Sequence, residues 1–259
     1  MVNNFWILVA SGLLSGLLAG LFGIGGGMVL VPLLITLNYT PVQAVATSSL
    51  AIIITSISGS WQNWRMGYLD LNRVILLGFP ALITAQIGVY IATLLPDYLL
   101  LTYFGILLII NIFLGNFNHQ LLGKKTSNNS LNFSVTIARL ATGGTAGFLA
   151  GLFGIGGGAI MVPLQMLLLN EPIKIAIQTS LGVIVITAIS STIGHSITGN
   201  VLFGVGLIVG VGGLIGAQIS TRFLPKLPDQ VVRFCFYGLL TILAIYTFWK
   251  AWNYYQWQL

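Results

Sequence analysis

The first 64 residues of the chain contain no charged side chain, and the first to appear is Arg65. Over all 259 residues, 10 side chains are basic and 4 are acidic, which is 5% of the sequence, against about 25% in an ordinary soluble domain. A soluble protein of this size could not cover its surface with so few charges. The composition therefore predicts a polytopic integral membrane protein and excludes most soluble enzymes, nucleic-acid binders and disordered chains.

The sequence contains few residues that could bind a metal or form a disulfide. Cys235 is the only cysteine, and there are two histidines, His119 and His195. A single cysteine excludes a disulfide within the chain and a cysteine-rich metal site. We therefore expect no metal and no cofactor, and we do not expect an enzyme.

Apolar segments alternate with short polar gaps along the whole chain. A helix needs about 20 residues to cross the hydrocarbon of a bilayer, so two of the segments, 28–37 and 159–169, are too short to cross alone. We predict an all-α membrane protein with about 8–10 helical membrane segments, in which a first repeat (1–117) and a second (133–259) flank a cytoplasmic linker (118–132). The other segments are 5–22, 43–61, 73–95, 98–116, 134–153, 174–194, 200–221 and 231–250.

The two halves are copies of one another. Residues 16–34 (GLLAGLFGIGGGMVLVPLL) align without gaps with residues 147–165 (GFLAGLFGIGGGAIMVPLQ), and 14 of the 19 positions are identical. The same register brings Ser49 opposite Ser180, and one inserted residue later Gln86 is opposite Gln218. The duplication therefore extends over nearly the whole chain.

The positions of the basic residues distinguish inverted from parallel halves, because lysine and arginine favour the cytoplasmic side. If segments 5–22 and 28–37 enter and return on one side, each half has an odd number of spans and the second half is inverted. Nine of the ten basic residues then share one side and only Lys250 lies on the other, whereas parallel halves give six and four. We predict inverted-topology repeats, with both termini outside and the linker in the cytoplasm. The nine are Arg65, Arg73, Lys124, Lys125, Arg139, Lys174, Arg222, Lys226 and Arg233.

Two glycine clusters interrupt apolar helices at matched positions, residues 23–27 and 154–158 (each GIGGG). Each interior glycine costs about 1 kcal/mol relative to alanine, so four glycines in five residues predict an unwound stretch. Helices that restart near Met28 and Ala159 would present free N–H groups and a positive dipole end, which favour an anion. The alternative is that the glycines only permit close helix packing.

Hydroxyl and amide side chains follow each glycine cluster and could replace the water shell of an oxyanion. The alternative for each is a bond to its own backbone or to a neighbouring helix. Gln86 and Gln218 are matched mid-helix amides that could line a pore or pack between helices. The candidate substrate-binding residues are Gly23, Gly25, Gly26, Gly27, Thr47, Ser48, Ser49, Gly154, Gly156, Gly157, Gly158, Gln178, Thr179 and Ser180.

Titratable groups are scarce in the apolar segments. Asp70, Asp97, Glu171 and Asp229 all fall in predicted connections, so the sequence shows no carboxylate relay. His195 falls at a segment end, where a loop histidine is the simpler interpretation and proton coupling is the alternative.

The doubled motif, followed by AVATSSLAIIITSISG and AIQTSLGVIVITAISS, resembles the TauE/SafE family of membrane transporters. Members of that family are associated with sulfite, sulfoacetate or other organosulfur anions, commonly their export. The resemblance therefore implies a small oxyanion or sulfonate substrate, bound at the glycine breaks and at the two polar triplets, residues 47–49 and 178–180.

The function that we predict is secondary transport of a small anion by alternating access between inverted repeats. An anion channel and a non-transporting structural subunit are the alternatives, and an intramembrane hydrolase using His195 lacks a nucleophile motif. The expected partners are the anion and the bilayer of a prokaryotic plasma (inner) membrane, without nucleic acid. The identity of the anion, the direction of transport, sodium or proton coupling and the oligomeric state stay open.

Overall fold

A computed structural model describes residues 2–122 and 135–258, and these residues fold into ten α-helices with no strand among them. The first half contains α1 (Val2–Phe22), α2 (Gly27–Thr36), α3 (Pro41–Arg65), α4 (Leu71–Leu94) and α5 (Asp97–Leu122). The second half contains α6 (Val135–Phe153), α7 (Gly158–Leu168), α8 (Ile173–Ile197), α9 (Phe203–Phe223), a short 3₁₀ turn (Leu224–Lys226) and α10 (Asp229–Gln258). The predicted all-α class is confirmed.

Within the described residues, eight of these helices are long and apolar enough to cross a membrane. The exceptions are α2 and α7, with 10 and 11 residues, which are the two segments that the sequence marks as too short. Helix α5 continues to Leu122, so it enters the predicted linker 118–132. The rest of that linker, with Lys124 and Lys125, lies outside the described residues.

Helices α3 and α4 begin at capping residues in the polar turns that precede them. Thr40 forms a capping box with Gln43 at the start of α3, and the Asp70 carboxylate accepts from the N–H groups of Asn72 and Arg73 at the start of α4. These caps satisfy N–H groups that the helices themselves leave without partners.

Hydrogen bonds recur in pairs with a constant offset of 132 residues, and this reveals the duplication in three dimensions. The Gln86 Nε2 amide donates to the Ser190 carbonyl at 2.6 Å, and Gln218 Nε2 donates to the Ser58 carbonyl at 3.1 Å. In return, Ser190 Oγ donates to the Leu82 carbonyl and Ser58 Oγ donates to that of Leu214. Each half therefore packs its fourth helix against the third helix of the other half.

Equivalent helices run antiparallel where they meet. In the α3–α8 pair, Ser49 Oγ lies 3.0 Å from Ser191 Oγ, whereas Gly59, further along α3, faces Leu181, which comes earlier in α8. In the α5–α10 pair, Tyr98 at the start of α5 contacts Tyr255 near the end of α10, with ring centroids 5.7 Å apart. In these two pairs, equivalent helices of the two halves therefore run in opposite directions.

The structure places the single inserted residue of the second half in α7, which is earlier in the chain than the sequence alignment places it. Helix α7 is one residue longer than α2, so the offset is already 132 at the start of α3 and α8. Ser180 is therefore equivalent to Ser48, and the predicted match with Ser49 is wrong. The adjacent serines at 48 and 49 hide this shift from a sequence comparison.

Ion pairs gather the starts of α4, α8 and α10 at one end of the helices. Arg73 bridges Asp70 at 3.0 Å and Glu171 at 3.1 Å, and Lys174 pairs with Asp229 at 3.2 Å. Burial raises the pKa of the Glu171 carboxyl, and the nearby guanidinium groups of Arg73 and Arg139 oppose part of that rise. These turns belong to the loops that the charge count assigns to the cytoplasm.

Candidate functional site

Both glycine clusters are breaks between helices, and their backbone requires glycine. Gly23, Gly25 and Gly26 have φ values of +67°, +69° and +83°, and their equivalents Gly154, Gly156 and Gly157 have +63°, +74° and +81°. Residues with a Cβ rarely adopt this left-handed region. The helices restart at Gly27 and Gly158, one residue before the predicted Met28 and Ala159.

The two breaks pack directly against each other inside the protein. A Cβ added at Gly27 would meet the Gly154 carbonyl and lie 2.8 Å from the Ile155 Cα atom. In the reciprocal contact, a Cβ added at Gly158 would meet the Gly23 carbonyl and lie 2.9 Å from its carbon. The absence of side chains at both helix starts is therefore what allows the halves to meet.

Hydroxyl groups from the opposite half donate to the carbonyls that open each break. Ser180 Oγ donates to the Gly23 carbonyl and Ser48 Oγ donates to the Gly154 carbonyl, both at 2.8 Å. Two more break carbonyls are also satisfied, because Ser15 Oγ donates to Gly26 and Thr187 Oγ1 donates to Gly156. These four hydroxyl protons are thus committed to the backbone. The first N–H groups of α2 and α7 remain as donors, although that of Val29 already bonds to the Gly26 carbonyl at 3.1 Å.

Two isoleucines, which no motif of the sequence marks, fill the space between the breaks. A Cβ on Gly25 would lie 2.9 Å from Ile184 Cγ2 and 3.1 Å from Ile52 Cγ2, and on Gly156 the corresponding distances are 2.8 and 3.3 Å. Ile52 and Ile184 are equivalent, fully buried and near the middle of α3 and α8. They place an apolar constriction at the centre of the pseudo-symmetric pair. With the offset of 132, isoleucine also matches isoleucine at 54/186 and 57/189, so an alignment alone would not have singled out this pair.

The remaining predicted residues flank the breaks rather than line them. Thr47 Oγ1 accepts from the Leu202 N–H at 3.1 Å, and Ser49 pairs with Ser191. Gln178 and Thr179 are buried on α8. Gln86 and Gln218 bind carbonyls of the opposite half, which is the packing alternative for these amides.

His195 lies in the last turn of α8, at the segment end as predicted, but it is part of the helix, and the loop interpretation is wrong. Its side chain is fully buried, and its Nε2 lies 3.2 Å from the Gly151 carbonyl. Because a carbonyl can only accept, Nε2 carries the hydrogen, and Nδ1 has no partner. Gly151 is three residues before Gly154, so the imidazole sits next to the second break.

The eight helices of membrane-spanning length and the two glycine breaks that pack against each other are those of an integral membrane protein built from two similar halves. A family model described as Sulfite exporter TauE/SafE matches residues 8–247. The chain belongs to the TauE/SafE family of membrane transporters.

Curated relatives carry names that agree with this class. The chain is 32% identical to "Probable membrane transporter protein YunE" of Bacillus subtilis, over 89% of this chain and 93% of the relative. It is 26% identical to a probable membrane transporter protein of Methanocaldococcus jannaschii, over 93% and 94% of the two chains. No solved structure matches the chain.

Proposed function

We propose that this protein is a secondary transporter that moves a small anion, such as sulfite, a sulfonate or a related sulfur-containing anion, by alternating access. The observation that carries the proposal is the reciprocal contact of the two glycine breaks, in which Gly27 meets Gly154 and Gly158 meets Gly23. Broken helices that meet between related halves form the substrate sites of inverted-repeat transporters.

The chemistry of the breaks supports an anion over a cation. The starts of α2 and α7 converge there, and a helix start carries free N–H groups and about half a positive charge. Of the acidic residues, Asp70 and Glu171 lie in turns, and Asp97 and Asp229 are the first residues of α5 and α10. Within the described helices, no carboxylate is placed to bind a cation at the breaks.

Inversion of the halves in the membrane is supported by helix direction and by charge. Equivalent helices run antiparallel, and the ion-paired turns containing Asp70, Glu171 and Asp229 share one end. Both termini then lie outside, and the linker 118–132 lies in the cytoplasm of a prokaryotic cell, with the protein in its plasma membrane.

Alternating access follows from the two equivalent arrangements that such halves can adopt. Ile52 and Ile184 close the centre, and the Ser48 and Ser180 hydroxyls hold the two break carbonyls. Rocking of one half against the other would open the breaks toward one face at a time and expose their N–H groups to the anion.

Counterflow of ³⁵S-sulfite in proteoliposomes tests the proposal. We expect saturable exchange in the wild type, at least about tenfold slower in Gly156→Ala, because about 1.4 kcal/mol on the barrier suffices for that change. Gly238→Ala, at an exposed α10 glycine with nothing within 4 Å of an added Cβ, is the matched control. Flux without counterflow would identify a channel, and folded protein without flux of sulfite or sulfonates would leave the structural-subunit alternative.

A further inference from the structure

His195 and Asn63 occupy equivalent positions of α8 and α3, and both are fully buried. One turn earlier, Thr192 and Ser60 are also equivalent. All four side chains keep at least one buried polar atom without a partner: His195 Nδ1, Thr192 Oγ1, Ser60 Oγ and both polar atoms of the Asn63 amide. An unsatisfied buried polar group is costly, so matched pairs at the two ends of the α3–α8 contact point to a function.

The imidazole faces the carboxyl end of a helix. Its Nε2–H donates to the carbonyl of Gly151 in the last turn of α6, a carbonyl that the break at Gly154 deprives of its helical N–H partner. A helix carboxyl end favours a cation, and histidine is a common one. Protonation of Nδ1 would leave this hydrogen bond intact.

No ionised group of the described helices competes for this site. On α4, the neighbours of Gly194 are Gln86 and Val89, and Tyr90 points outward with 65% of its side chain exposed. Arg139 of α6 lies at the opposite end, beside Glu171, as does Arg65 at the end of α3. Asp97 and Lys250 belong to α5 and α10, which do not pack closely against α8.

His195 lies in the last turn of α8, two residues before the helix ends at Ile197. Nδ1 is therefore close to the end of the molecule that our topology assigns to the exterior. A surface groove of about 480 Å³ between α3, α8 and α9 is lined mostly by isoleucine and phenylalanine, and His195 is not part of its wall. The imidazole instead faces the second break, beside Gly151.

We propose that His195 is the proton-coupling group of this transporter, an assignment that rests on the proposed anion transport. Nδ1 takes a proton from water at the outer end while an anion occupies the adjacent break, so that the pair moves with one charge compensated. The proton leaves for water when the anion is released. Because Asn63 fills the equivalent place without a titratable group, each cycle couples one proton to one anion.

The coupling experiment uses His195→Asn, which copies the residue found in the other half, in proteoliposomes with a pH gradient. We expect this variant to retain ³⁵S-sulfite counterflow and to lose accumulation driven by the gradient. His119→Gln, which changes the other histidine, is expected to behave as wild type. If His195→Asn gives no folded protein, His195→Gln takes its place, because its amide can still donate to Gly151.

Two outcomes separate this inference from the proposed function. Sulfite counterflow in the wild type without gradient-driven accumulation, or unchanged accumulation in His195→Asn, would overturn the coupling role and leave anion transport standing. If sulfite is not carried, NMR of the His119→Gln protein in nanodiscs still tests the assignment. Its remaining histidine, His195, carries a ¹³C label in the imidazole. We expect its NMR signal to titrate and to shift to higher pH with methanesulfonate, and a signal that is unaffected by pH would overturn the assignment.

Discussion

At the scale of single residues, the breaks illustrate two separate demands on glycine, backbone conformation and space. Gly25 and Gly156 need a positive φ, and both also face Ile184 Cγ2 at less than van der Waals distance for an added Cβ. Gly67, in the turn after α3, needs the same conformation at φ +77°, but a Cβ there would meet nothing within 4 Å. Comparing alanine substitutions at the three positions therefore separates the cost of the backbone conformation from the cost of crowding.

We predict that Gly25→Ala and Gly156→Ala each lower the free energy of unfolding by more than Gly67→Ala does. The left-handed conformation alone costs about 1–2 kcal/mol for a residue with a Cβ, and crowding against Ile184 adds to this at the breaks. Thermal unfolding followed by tryptophan fluorescence in detergent measures the difference. Equal losses of unfolding free energy at all three positions would show that Ile52 and Ile184 move aside without cost and do not crowd the breaks.

Residue identities explain which parts of the site could be read from the sequence. The glycine breaks were predictable because four glycines in five residues are rare in an apolar helix and occur twice. Ile52 and Ile184 were not, because in a chain with 56% hydrophobic residues an isoleucine carries no signal of its own. The roles of Ser48 and Ser180 also needed coordinates, since their partners are backbone carbonyls 106 and 157 residues away.

At the scale of helices, close packing of α1 on α9 and of α6 on α4 depends on small residues. Gly16 of α1 lies against the backbone of Gly213, and Gly147 of α6 lies against the backbone of Ala81. In a membrane, helices associate through such close contacts because lipid offers no hydrophobic driving force between them. The glycine-rich composition thus serves two purposes, the breaks and these interfaces.

We predict opposite signs for two alanine substitutions at helical glycines. Gly16→Ala would bring a Cβ to 2.7 Å from the Gly213 Cα atom, and overpacking of this kind costs about 1–3 kcal/mol. Gly238→Ala has open space and should stabilise α10 by up to about 1 kcal/mol. Thermal unfolding of the two purified variants under identical conditions tests this, and a Gly16→Ala protein as stable as wild type would contradict the contact.

At the scale of the whole molecule, the fold class and the number of long helices followed from composition and segment lengths alone. Helix ends were harder, because apolar periodicity continues past them: α5 extends to Leu122, beyond the predicted segment end at residue 116. The place of the inserted residue was invisible for a similar reason, since one extra residue in α7 changes no identity in the glycine motif. The orientation in the membrane rests on the charge count and stays a prediction.

The turn glycines Gly67 and Gly199 provide a matched test of that orientation. They are equivalent positions of the two halves, both exposed, with φ values of +77° and +73° and nothing within 4 Å of an added Cβ. Inverted halves put Gly67 in the cytoplasm and Gly199 outside, whereas parallel halves put both on one side. The exposed Cys235 must first be replaced by serine, so that each introduced cysteine is the only thiol. In intact cells, a membrane-impermeant maleimide should label Gly199→Cys and leave Gly67→Cys unmodified until the cells are permeabilised. Because both substitutions carry the same backbone strain, a difference in labelling reports sidedness, and equal labelling in intact cells would contradict inversion.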